Sequence, residues 1–187
     1  MNTRTLLGVL LAAFAAFLWG FAFWGASSLS YSGWSATQDD AEAQAVLEEL
    51  FPATGYYTVP NHTQHSPEVF NGLLADGGVW ATVNMDHSPP QQGDPTTLLL
   101  GFGHNLVVMF LLALLLLHAE PNRVRMALLA GLMAAVFSNI GDVVWWNYPV
   151  TWKLTIFLYD MGFWLIGGLI LGYFMRGQDG AQPAATA

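Results

Sequence analysis

Four stretches of this chain are so long and so apolar that only a bilayer or a large core can take them, and 187 residues leave no room for the core. Residues 6–24, 96–118, 125–146 and 153–175 each run close to the roughly 20 residues with which an α-helix crosses about 30 Å of hydrocarbon. In that medium every backbone N–H and C=O must find its partner within the protein, so a segment of this length is expected to be helical. The sequence therefore predicts a mainly α protein: a four-transmembrane-helix bundle, residues 1–187 forming a single integral membrane domain, with the lipid bilayer as its first partner. A composition of 54% hydrophobic and only 10% charged residues agrees with that reading.

The first stretch has Arg4 ahead of it and small residues, Ala26-Ser27-Ser28, behind it, as a signal peptide would. It is longer than the usual h-region and ends in Trp19, Phe21, Phe23 and Trp24, which suit a membrane interface, so a retained anchor is expected. Arg4, Arg123, Arg125 and Arg176 flank the spans on one side and Lys153 alone on the other. The positive-inside rule then predicts a bacterial inner (plasma) membrane protein, multi-pass, with both termini cytoplasmic. Residues 27–94 form an extracytoplasmic (periplasmic) loop, Trp145, Trp146, Tyr148 and Trp152 an outer aromatic girdle, and 177–187 a disordered cytoplasmic tail.

That loop is too long to be structureless. Ala43, Val46, Leu47, Leu50 and Phe51 fall at helical spacing after Asp39 and Asp40 and before Pro52, which predicts a helix over 41–51. Residues 55–59 and 78–83 read as paired strands, with a short helix over 67–74 between them. The fold class is completed by this small α+β extracytoplasmic cap between helices 1 and 2. Ser88 to Asp94 reads as a mobile connector, and Asp94-Pro95 as an N-cap with proline in the first helical position. Nine of the thirteen Asp and Glu lie between Asp39 and Asp94, a region without Lys or Arg, so nucleic acid is excluded as a partner. With no cysteine there is no disulfide, thiolate nucleophile or thiolate metal site.

Polar residues inside the spans carry the functional question. His104 lies roughly 14 Å into the second span, Asn139 and Asp142 about 10 and 6 Å from the outer end of the third, and Asp160 about 10 Å into the fourth. Such groups are expensive in hydrocarbon and normally face protein or water. Ala127, Gly131, Ala135, Ser138 and Asp142 form one small-residue stripe with Asn139 on its neighbouring edge, and Gly168 and Gly172 form a GxxxG spacing. The expected cluster places His104 against Asp142 and Asp160. Four chemistries fit it: a hydrogen-bonded network that fixes helix register, a proton relay or ion path, a divalent-metal site, or a small-ligand pocket.

In the loop, His62, His65 and His87 are weaker metal candidates, with Met85 and Asp86 beside the last; solvated polar residues are the better reading of them. Asn61-His62-Thr63 is a glycosylation sequon only in a secretory pathway. A bis-histidine haem within one chain is disfavoured, because His118 lies at the face opposite His104. Gly101-Phe102-Gly103 lacks the context of a nucleotide loop, and no GxSxG, HExxH or Walker motif is present.

The sequence Gly55-Tyr56-Tyr57, then Val59-Pro60, a long gap, Ser138-Asn139-Ile140, and Trp145-Trp146-Asn147-Tyr148-Pro149 at the end of the third span resembles an uncharacterised group of bacterial four-helix inner-membrane proteins. The resemblance covers most of the chain and implies the topology; it implies no activity. The expected role is a non-enzymatic accessory, assembly or structural component of the envelope, working as a homodimer or within a larger membrane-protein complex. Two alternatives stay open: a small transport or proton-relay protein using the His/Asp cluster, and a membrane metal-binding protein or enzyme with its site at the outer leaflet. No cofactor is predicted; the open metal is a divalent one.

Overall fold

The computed structural model describes residues 1–91 and 93–176; Gln92, within the expected connector, and the expected tail at 177–187 lie outside the described residues. The chain divides into two compact units, one of residues 1–34 with 93–187 and one of residues 35–92.

The first unit holds four helices long and apolar enough to cross a membrane. The first is α1 (Thr3–Gly20), capped by Asn2, whose side chain accepts from the Thr5 N–H, and prolonged by a π-helical turn, Phe21–Gly25. The second, α4 (Pro95–Leu116), starts as the sequence predicts, with Asp94 accepting from the Thr97 N–H at 2.8 Å and Pro95 in the first turn. The third is α5 (Arg123–Ala135), a π-helical turn (Val136–Ile140) and α6 (Gly141–Trp146); the fourth is α7 (Val150–Phe174). Asn147 closes α6 in the left-handed conformation, φ 51°, which asparagine tolerates.

The fourth helix packs on both the third and the first, and the second packs chiefly on the first: α7 meets α5 and α1, and α4 meets α1 far more than α5. Small residues permit this. A Cβ added at Gly131 would stand 2.3 Å from Trp164 Cγ, and one at Gly168 would stand 2.7 Å from Ala127 Cβ, so third and fourth helices approach as closely as their backbones allow. The core is built from Val9, Ala12, Ala13 and Ala16 of α1, Met109, Leu112, Ala113 and Leu116 of α4, and Phe163 and Leu171 of α7.

Two arginines fasten one end of the unit. Buried Arg123 donates to the carbonyls of Leu116 (3.2 Å) and Met175 (2.9 Å), and pairs with Glu120. Arg4 donates to the carbonyls of Arg176 and Tyr173. The last turns of a helix leave carbonyls without N–H partners and carry partial negative charge, and these guanidinium groups answer both. At the other end Trp24, Tyr31, Trp34, Trp152 and Tyr159 form a connected set of ring contacts. Of the residues expected in the girdle, Trp152 packs against Trp24 and Trp34, whereas Trp145 is 78% exposed.

In the second unit, α2 (Asp40–Leu50) is capped by Asp39, whose carboxylate accepts from the Ala41 and Glu42 N–H groups. β1 (Gly55–Val59) pairs antiparallel with β2 (Ala81–Met85), Tyr57 opposite Val83, and α3 (Pro67–Leu74) lies between them in sequence with Ser66 as its cap. The second strand begins three residues later than the sequence suggests. Asp76 (φ 55°) and Gly77 (φ 88°) turn the chain, a Cβ added at Gly78 would overlap the Leu73 carbonyl, and the pairing starts with Ala81 opposite Val59.

Candidate functional site

The third helix presents Arg123, Ala127, Gly131, Ala135 and Asn139 to its neighbours, a run of buried residues at steps of four. An ideal α-helix drifts about 40° with each such step. The wider π turn over Val136–Ile140 takes back part of that drift, so Asn139 holds the face. This corrects the expected stripe: Ser138 is exposed and Asn139, 2% exposed, takes its place. Single π turns of this kind are frequent at functional sites.

Asn139 Nδ2 donates twice, to the Ala135 carbonyl at 3.1 Å and to Asp160 Oδ2 on α7 at 2.9 Å. Its Oδ1 is buried and accepts no hydrogen bond. One turn further along, Asp142 Oδ2 meets Lys153 Nζ at 2.5 Å, and the ammonium lies 4.6 Å over the Tyr148 ring. Lys153 is seven residues, two helical turns, before Asp160, so its charge acts on both carboxylates. The result is two rungs between third and fourth helices: an amide–carboxylate bond and an ion pair. Beside them runs an apolar cleft of about 330 Å³ lined by Ile140, Val143, Val150, Leu154 and Phe157.

Lys153 is the member that the sequence pattern does not single out. By position it is only the lone basic residue on its side of the spans, although a long side chain at a helix start can reach back along the bundle. Its position within reach of Asp142 across a three-residue turn was the available signal.

His104 is not brought to this network. Its ring is exposed, and its hydrogen bond is to the neighbouring Asn105 Oδ1 at 3.4 Å. The cause is rotational: Asn105 is the buried residue that faces the rest of the unit, and His104 sits about 100° away from it around the helix. Among the described residues no three His, Asp or Glu side chains gather in a way that could hold a metal ion, and His104, Asp142 and Asp160 are not one cluster.

The loop histidines separate in the same way. His87 is a fastener: its Nε2–H donates to the Phe51 carbonyl at 2.8 Å and its backbone N–H to Thr54 Oγ1 at 3.1 Å, joining the end of β2 to the end of α2. The His62 ring stands edge-on to Phe70, and His65 lines an open cleft of about 460 Å³ with Tyr57, Asn61, Gln64 and Leu73.

Carboxylates in the loop unit are solvated. Glu68 is held below the ordinary glutamate range by the Ser66 hydroxyl and by its own backbone N–H at the start of α3. No protein-family model, curated protein or solved structure matches this chain.

Proposed function

We propose that this is a multi-pass protein of the bacterial inner membrane that serves a non-enzymatic, accessory or structural role. Its arginine-bearing ends and both termini face the cytoplasm, and residues 35–92 lie outside. Four apolar helices of spanning length support the insertion. The distribution of Arg4, Arg123, Arg125 and Arg176 supports the orientation.

The observation that carries the role is the pairing of Asp142 with Lys153 and of Asp160 with Asn139. Each of these four side chains bonds across to the facing helix, the arrangement by which buried polar groups fix helix register. On this reading the network holds the third and fourth helices together, and the activity belongs to a complex that the protein joins. Gentle detergent extraction from native membranes, with mass spectrometry and metal analysis of one sample, tests it. A stoichiometric protein partner is the expected result. A lone protein that by itself carries ion flux in liposomes would contradict it.

One observation favours a second reading, a proton or ion path: the buried Asn139 Oδ1 lacks a donor while lying on the side chain that holds Asp160. In that case Asp160→Asn abolishes function without loss of thermal stability. The structural reading requires the reverse, stability lost and function lost only in proportion.

A further inference from the structure

We propose that the outward face of α4 is a homodimer interface on which His104 of one copy bonds His104 of a second copy. The inference rests on the membrane reading above.

Leu100, His104, Val107, Leu111 and Leu114 follow one another at steps of four and three, which keeps all five within about 40° of one line along the helix. That line is diametrically opposite the buried Asn105, Met109, Leu112, Ala113 and Leu116. Leu100, Val107 and Leu111 are 68%, 59% and 58% exposed. Leucine and valine on such a line are at home against lipid and require no partner. An imidazole is not: ionisable residues in spans are rare and almost always turn toward protein or a wet cavity. The contact of His104 with Asn105 is long at 3.4 Å and engages Nδ1, whose N–H donates to Asn105 Oδ1, which leaves Nε2 of this exposed residue as an acceptor.

A second copy is the occupant that this geometry supplies without coincidence. Copies inserted in the same orientation associate about a two-fold axis along the membrane normal, and an isologous contact near that axis sets each residue at the depth of its own counterpart. A different protein would need a polar group at the same depth by chance. A neutral imidazole carries one donor and one acceptor, so two rings bond when one keeps its Nδ1–H on Asn105 and accepts at Nε2, while the other gives up the long Asn105 contact and donates from Nε2–H. The four-three spacing is that of a left-handed helix pair, in which a single polar residue on the seam sets register. Beside His104 the backbone is open to approach, since a Cβ added at Gly103 would meet nothing within 4 Å.

The absence of cysteine from the chain makes the test clean. Full-length Leu100→Cys, Val107→Cys and Leu111→Cys are oxidised in membranes, with Leu99→Cys, about 100° off the seam, as control. Disulfide-linked dimers at the three seam positions, at least tenfold above the control, are expected. In the Leu100→Cys and Leu111→Cys backgrounds, adding His104→Leu is expected to cut the yield several-fold, and His104→Gln, which keeps a donor and an acceptor, to restore most of it.

A membrane-resident protein without seam-specific cross-links overturns the dimer and leaves the span reading intact. Cross-linking indifferent to His104→Leu overturns the role of the histidine pair. Recovery of the chain outside the membrane fraction overturns the membrane reading, and the dimer with it.

Discussion

Breaking the Asp142–Lys153 pair from one side should cost more than removing it altogether. At the observed 2.5 Å, two unit charges in a surroundings of effective dielectric about 20 attract by roughly 7 kcal/mol. Desolvation takes back several kcal/mol for each ion, so the pair itself is worth little against an apolar replacement. Removing one member of a fully buried pair costs about 3–5 kcal/mol because a charge is left behind. Here the side chains are 13% and 33% exposed, and some water reaches them, which places each single loss near 2 kcal/mol. Asp142→Asn and Lys153→Met are each expected to destabilise the full-length protein by about that amount, and the double variant by less than about 1 kcal/mol, a coupling of about 3 kcal/mol or more. Equilibrium unfolding in mixed micelles of a mild detergent and dodecyl sulfate reads all four corners of the cycle. Single losses below about 0.5 kcal/mol that simply add would refute the claim that this pair ties the third helix to the fourth.

Gly131→Ala places a methyl inside contact distance of Trp164 and should cost about 1–3 kcal/mol in the same assay, partly restored by Trp164→Leu; an unchanged midpoint would show the helices are not pressed together there. Arg123→Ala releases the carbonyls of Leu116 and Met175 and should cost about 1–3 kcal/mol, with Arg123→Lys recovering little, because an ammonium lacks the planar fork that reaches both; full rescue by lysine would reduce the site to a bare charge. Glu68, held below its ordinary range, contributes stability that is present above its unfolded pKa and lost as pH falls through its folded one. A carboxyl titration by NMR of the intact protein should move upward in Ser66→Ala; a curve unmoved by that change would remove the hydroxyl as the cause.

The long helices were legible because length and hydropathy alone specify them, and the Asp94-Pro95 start of α4 because cap chemistry is local. α3 and the pairing of two loop strands followed from turn residues in the same way. What local pattern could not supply was rotation. A helix wheel of constant pitch puts Ser138 on the packed face, and only the π turn hands that place to Asn139. Depth along the spans grouped His104 with the carboxylates, but depth says nothing of azimuth, and α4 packs on α1 with its histidine turned away. Lys153 was classified by its side of the membrane and not by its reach. β2 starts at Ala81, opposite Val59, the last residue of β1, and a strand's partner is not written in its own local pattern.

The central claim is that the chain is threaded through a membrane with residues 35–92 on one side and the arginine-bearing turn on the other. Single cysteines introduced into the otherwise cysteine-free chain decide it: Gln64→Cys in the loop unit and Asn122→Cys in the turn before α5, treated with a membrane-impermeant maleimide in intact bacterial cells and again after lysis. The account predicts that the Gln64→Cys protein is labelled in intact cells and the Asn122→Cys protein only after lysis. Equal labelling of the two, or the reverse order, would contradict it.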